Sequence, residues 1–117
     1  MLILYKRILE KIAMGLLSFM PNEKDVKKLQ ETIKQYETLE NWQLYLWKEE
    51  EDLIGLIGIV IQPDDTILIQ HITVNPSFRQ QGIGRKMLEQ IKQMYEDKQF
   101  VSNDMTASFI VKFDKEE

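Results

Sequence analysis

The sequence predicts an α+β domain layered around a mostly antiparallel central sheet, and three observations predict it. Three apolar runs, residues 43–48, 53–61 and 66–74, are joined by turns too short for a crossover, so they pair as an antiparallel meander. Two segments before them and one after repeat apolar residues at spacings of three and four, the signature of helices lying on a sheet. The last helix leads to a further short apolar pair, Phe100 and Val101, which makes a strand–helix–strand unit with a parallel, right-handed connection.

In chain order, residues 2–6 form a short first strand. Ile8, Leu9, Ile12, Ala13, Leu16 and Leu17 recur at helical spacing, and this helix ends near residues 18–20. Pro21 and Asn22 punctuate the chain. Asn22 is expected to cap the second helix, with Asp25 three residues on as a short capping box. Val26, Leu29, Ile33 and Tyr36 form that helix's apolar face, opposite lysines and glutamates. In the first meander strand Leu44 and Leu46 alternate with Tyr45 and Trp47. Glu49, Glu50, Glu51 and Asp52 make a charged turn, either solvated or attractive to a cation. Residues 53–61 are nearly all apolar, as in a strand buried on both faces, where Gly55 and Gly58 admit a close neighbour or a bulge. Gln62, Pro63, Asp64 and Asp65 turn the chain, residues 66–74 form the third strand, and Asn75-Pro76 ends it. A helix over 82–97 carries Ile83, Met87, Leu88, Ile91 and Met94 inward. Residues 105–113 form a last short helix, or a helix and then a strand. Trp42 and Trp47 line a pocket or pack in the core.

The length of 117 residues suits one domain over 1–117. A net charge of −4 argues against nonspecific nucleic-acid binding, which needs clustered lysine and arginine. The absence of cysteine excludes disulfides, thiolate metal sites and a cysteine nucleophile, and fits a reducing compartment. The apolar N-terminal stretch is interrupted by Glu10 and Lys11. It lacks a small-residue cleavage site and is too short and too charged to span a membrane. These features lead to an expected cytoplasmic location, without membrane, nucleic acid or metal.

The sharpest functional signal is Arg79-Gln80-Gln81-Gly82-Ile83-Gly84-Arg85-Lys86, between a strand and a helix. Helix-terminal N–H groups and the helix dipole, reached over glycine backbone, suit a phosphate or pyrophosphate. A dinucleotide fingerprint needs a third glycine and a place in the first strand–helix–strand unit, and this segment has neither. The phosphate loop of nucleoside triphosphatases needs G-x-x-x-x-G-K-[ST], which is absent. Arg85 and Lys86 sit at the helix end that disfavours cations. Either a bound anion offsets this, or both lie on a solvated face.

Residues 71–84, His-Ile-Thr-Val-Asn-Pro-Ser-Phe-Arg-Gln-Gln-Gly-Ile-Gly, resemble motif A of the GNAT N-acetyltransferases. That motif is a strand ending in x-V-x-P, then [Q/R]-x-x-G-x-[G/A], then a helix. Residues 14–25 further resemble short RibT-type members of this family, associated with bacterial riboflavin genes. The resemblance implies a three-layer GNAT-like fold with a βαβ acetyl-CoA-binding unit, and acetyl-CoA as acetyl donor to an amine acceptor. Backbone groups of Ile72, Thr73 and Val74 would then pair with the pantetheine arm. N–H groups of Gln80, Gln81, Gly82, Ile83, Gly84 and Arg85 would hold the pyrophosphate, with Arg79 shaping the loop and Lys86 adding charge. Asn103 begins the family's N-x-x-A-x-x-x-Y pattern and joins the expected cofactor-binding residues.

The resemblance also marks departures. The family's tyrosine, which protonates the leaving thiolate, falls on Ile110, and no tyrosine follows Tyr95. Ser102, Thr106 and Ser108 are the nearby hydroxyls. Only 33 residues follow Gly84, where the family continues into two further strands, so the expected fold is C-terminally truncated. Phe109, Val111 and Phe113 alternate as an apolar edge that favours a homodimer. His71, the only histidine, is either a general base for the acceptor amine or a buried strand histidine bonded to a neighbour. Two functions remain open: an acetyl-CoA-dependent N-acetyltransferase, and a non-catalytic acyl-CoA-binding or regulatory module.

Overall fold

Runs rich in isoleucine, valine and leucine need cover on both faces, and the chain supplies it with helices on either side of one sheet. A computed structural model describes residues 1–20 and 25–108. Its strands are β1 (Leu2–Leu4), β2 (Trp42–Glu49), β3 (Asp52–Ile61), β4 (Thr66–Val74) and β5 (Gln99–Ser102). Its helices are α1 (Glu10–Leu17), α2 (Val26–Thr38) and α3 (Ile83–Met94), with 3-10 turns at Arg7–Leu9 and Pro76–Phe78. The strands lie in sequence order, antiparallel from β1 to β4, and β5 pairs parallel to β4. This is the layered α+β architecture expected, with the meander and the parallel closing unit in place.

The two faces have separate cores. Tyr45, Trp47, Ile57, Ile59, Ile67, Ile69, Ile72 and Val74 meet Ile83, Met87, Leu88 and Ile91 of α3. Leu44, Leu46 and Leu56 meet Ala13, Leu16 and Leu17 of α1 and Leu29, Ile33 and Tyr36 of α2. Both glycines of β3 bring a neighbour close. A Cβ at Gly55 would lie 3.1 Å from the Met87 sulfur, and one at Gly58 would collide with the Tyr36 hydroxyl. The two tryptophans pack: Trp47 is buried in the α3-side core, and Trp42 meets the Tyr36 ring edge to face at 5.1 Å.

A bulge in β4 decides which face its later side chains take. Gly58 opposes His71, but Ile59 opposes Ile69, so Gln70 is an extra residue on β4. A bulge of this kind shifts the side-chain alternation by one. Ile67 and Ile69 face α3, yet beyond the bulge Ile72 and Val74 face it instead. His71, paired with Gly58, is thereby turned to the α2 side.

Several local expectations need correction. The first strand stops at Leu4 and the last long helix at Met94. Ile8 is 88% exposed, because the chain enters α1 through a 3-10 turn that breaks the helical phase; Ile12 is also largely exposed. Val26 and Met94, the terminal residues of their helices, are exposed, and Thr32 takes a buried place on α2. The cap of α2 is Asp25, in extended conformation, its carboxylate accepting the Lys27 N–H at 2.9 Å. Asn22 lies outside the described residues, as do Phe109, Ile110, Val111 and Phe113. Asp25→Ala is expected to lower stability by about 1 kcal/mol, read as a shift of the urea midpoint without change of slope.

Candidate functional site

The site lies where β4 and β5 part company. β5 pairs only with the first half of β4, from Thr66 opposite Gln99 to Ile69 opposite Ser102. The chain then turns away at Asn103. Two side chains pin this fork from below. Asn103 Nδ2 donates to the Gln70 carbonyl at 3.1 Å, and Thr106 Oγ1 donates to the Ile69 carbonyl at 2.9 Å. Asn103 Oδ1 accepts the N–H groups of Met105 and Thr106 at 2.9 and 3.0 Å, opening the helical turn that begins there.

Above the fork, the bonding alternation of an antiparallel pair decides which backbone groups face the gap. Asn75 N–H donates to the Ile54 carbonyl on β3 at 2.8 Å. By alternation Thr73 also turns toward β3, while Ile72 and Val74 turn their N–H and C=O groups away from it, toward the gap. The Val74 carbonyl accepts Arg79 Nε at 3.2 Å, so Arg79 ties the end of β4 to the loop that follows.

That loop is built to expose N–H groups. Asn75 Oδ1 accepts the Ser77 N–H at 3.0 Å and caps the 3-10 turn. Gln80 and Gly82 both adopt left-handed backbone, at φ 67° and 75°. Alternating backbone hand of this kind forms a concave nest of N–H groups. Gly82 is the N-cap of α3, and the first intrahelical bond runs from Lys86 N–H to the Gly82 carbonyl at 3.0 Å. The N–H groups of Ile83, Gly84 and Arg85 therefore have no acceptor one turn back. No atom lies within 4 Å of where a Gly82 side chain would begin. Gln80, Gln81 and Lys86 are exposed around it. Arg85 Nε pairs with Glu89 Oε1 at 3.1 Å on the exposed helix face, which itself relieves part of the charge mismatch at this terminus.

The structure thus brings Ile72, Val74 and the 79–86 loop together on one end of the fork, with Asn103 at its apex. His71 stands apart from the loop. It is 2% exposed on the α2 face, with Nδ1 2.6 Å from the Tyr36 hydroxyl. The Thr106 hydroxyl, one of the expected replacements for a tyrosine acid, is fully buried and committed to the fork. Tyr36, Gln70 and the bracing role of Thr106 are the parts sequence reasoning missed. Gly58 was the available signal, since a mid-strand glycine marks a close approach and Tyr36 makes it. Tyr36 also walls a cavity of about 520 Å³ between β1, β2 and α2, with Tyr5, Glu37 and Gln43. There the Tyr5 hydroxyl donates to Glu37 Oε2 at 2.8 Å, and burial first, then this bond, push the phenol above its ordinary range. Among the described residues no group of three or more histidines and carboxylates could hold a metal, and no helix is long and apolar enough to cross a membrane.

An antiparallel meander whose fourth strand parts from a parallel fifth beside a glycine-rich helix N-terminus defines an acyltransferase-type domain. The chain belongs to the acetyltransferase (GNAT) family, which it matches over residues 12–108. It is 61% identical over 112 residues to an uncharacterized N-acetyltransferase in the lysA 3′ region of Bacillus methanolicus, a match covering 96% of this chain and 93% of the relative. Among solved structures it resembles a GNAT family acetyltransferase from Elizabethkingia anophelis with acetyl-CoA bound, at TM-score 0.73 and 22% identity over 98% of this chain and 72% of that one. It also resembles AAC(6')-Iy in complex with a coenzyme A bisubstrate analogue, at TM-score 0.76 and 14% identity over 95% of this chain and 85% of that one. At these identities the structural likeness speaks for the fold.

Proposed function

We propose that this protein binds acetyl-CoA in the β4–β5 fork and transfers the acetyl group to an amine. The observation that carries the reading is the continuity of donors along one path. The backbone of Ile72 and Val74 faces the gap, and the N–H nest from Gln80 to the start of α3 lies directly beyond it. An extended amide-containing arm pairs with the first as a strand would, and a pyrophosphate suits the second. A Val74 N–H turned into the gap is placed to polarise a thioester carbonyl, the kind of donor acyl transfer needs. The neighbouring structures with coenzyme A ligands support this assignment of the donor.

A second reading is an acyl-CoA-binding module without turnover. The isoleucine at position 110, where the family's tyrosine is expected, and the commitment of the Thr106 hydroxyl favour it. Calorimetry with acetyl-CoA tests what both share, and no heat at millimolar ligand would sink both. Free thiol release over a panel of lysine, spermidine, benzylamine and riboflavin-pathway amines separates them. The last group belongs in the panel because residues 14–25 resemble RibT-type proteins. Thiol release supports the enzyme; tight binding with no release supports the module. A homodimer is part of the same reading, and sedimentation velocity measures it.

A further inference from the structure

A strand that leaves its neighbour must stop making ladder bonds, and one side chain fixes where β5 stops. Gln62 N–H donates to the Thr66 carbonyl at 2.9 Å, so Thr66 bonds toward β3. By alternation Leu68 does the same, while Ile67 and Ile69 bond toward β5. In a parallel ladder such a carbonyl accepts from the residue one beyond its partner. Ile69 stands opposite Ser102, so the donor next in line is Asn103 N–H. Asn103 N–H goes instead to Thr106 Oγ1 at 3.0 Å, and Thr106 Oγ1 donates to the Ile69 carbonyl at 2.9 Å. The hydroxyl is inserted into the rung, and one hydrogen bond becomes two in series.

Thr106 Oγ1 has a single proton to give. The Ile69 carbonyl is its shortest acceptor, ahead of Asn103 Oδ1 at 3.1 Å, which already accepts two backbone N–H groups. The threonine is fully buried. Asn103 Nδ2 takes the carbonyl of Gln70, the residue that the bulge adds. Side chains thus hold both carbonyls at the apex, where backbone N–H groups would continue the sheet. Position 106 is alanine in the N-x-x-A-x-x-x-Y pattern, so this hydroxyl is a departure from it.

We propose that Thr106 is a positioning residue for acetyl-CoA, a wedge whose hydroxyl ends the β4–β5 ladder at Ser102 and holds the fork open beyond it. This rests on the acetyl-CoA reading above. Paired strands lie about 4.8 Å apart, which leaves no room for a third chain between them. An arm that pairs with Ile72 and Val74 needs about twice that spacing between β4 and whatever lies beyond the arm. The separation must therefore begin at the last rung, below Gln70. Without the hydroxyl, Asn103 N–H closes on the Ile69 carbonyl, the rung re-forms, and the gap narrows from its apex.

Couplings between amide nitrogen and carbonyl carbon across hydrogen bonds, measured by NMR on the ¹³C,¹⁵N-labelled chain, read the rung directly. Wild type is expected to show no coupling between the Asn103 nitrogen and the Ile69 carbonyl carbon. Thr106→Val keeps the shape, removes the hydroxyl and should gain that coupling. By calorimetry its acetyl-CoA dissociation constant should rise about tenfold, the weight of one hydrogen bond along the arm. Thr106→Ser keeps the oxygen and its proton, so it should lack the coupling and bind within about threefold of wild type. General loosening of the fold would not separate the two variants in this way, since serine gives up a buried methyl group that valine retains. An Asn103–Ile69 coupling in wild type, or wild-type affinity in Thr106→Val, overturns the proposal and leaves acetyl-CoA binding standing. Wild type that does not bind acetyl-CoA overturns it together with that reading. The wild-type coupling is read even if a variant fails to fold.

Discussion

Gly82→Asp is expected to abolish acetyl-CoA binding while leaving the chain folded. The fold survives because the added side chain meets no atom within 4 Å, and Asp tolerates the left-handed backbone at φ 75° better than most residues. The remaining backbone strain is about 1–2 kcal/mol. Binding does not survive, because a carboxylate then stands at the N-cap, over the N–H groups of Ile83, Gly84 and Arg85. It accepts those donors itself, as capping aspartates do, and repels the pyrophosphate. A loss of at least about 100-fold, or ~2.7 kcal/mol, is expected by calorimetry. Gly82→Ala separates strain from charge and should cost affinity less than about tenfold, since it adds a methyl group into open space. Affinity for Gly82→Asp within tenfold of wild type would remove the loop from the site.

Gly58→Ala should be the most damaging single-methyl change in the sheet. Its Cβ needs the space of the Tyr36 hydroxyl, which has β3 backbone on one side and the His71 ring on the other. Tyr36 must shift, and its bond to His71 and its edge contact with Trp42 go with it. Overpacking a core costs about 1–3 kcal/mol and a broken buried hydrogen bond about as much again, so a loss of ~3 kcal/mol or more is expected in urea unfolding. Gly15→Ala is the counterpart. Gly15 lies exposed within α1 with nothing within 4 Å of a would-be Cβ, so alanine there should stabilise by about 0.5–1 kcal/mol. Equal effects at the two glycines would show that the Tyr36 contact does not constrain β3.

Much of this was legible in the sequence because it depends on local chemistry. Strand and helix periods follow from one-dimensional spacing, and Gly82-Ile83-Gly84 after an apolar run marks a helix N-terminus open to an anion whatever the rest of the fold does. The errors fell at element ends. Ile8, Val26 and Met94 have apolar side chains at the right spacing but sit in a 3-10 turn or at a helix terminus, where spacing no longer predicts direction. Asp25 replaced the expected cap because both residues suit the role and only the path of the chain into α2 chooses between them.

The position of His71 was decided elsewhere. Strict alternation along β4 would put Ile67, Ile69, His71 and Thr73 on one face. The bulge at Gln70 breaks that phase, sends Ile72 and Val74 to the α3 core, and delivers His71 to Tyr36, thirty-five residues away in sequence. No local propensity encodes this. It follows from pairing with β3, where only Gly58 leaves room for the tyrosine, and from Asn103 and Thr106, which take the two carbonyls the bulge turns outward. The sequence by itself determined the glycine loop at the start of α3, because that loop needs only glycine backbone and a helix N-terminus. Tertiary structure decided that His71 meets Tyr36 on the α2 face, because the phase of a strand beyond a bulge is set by its neighbours.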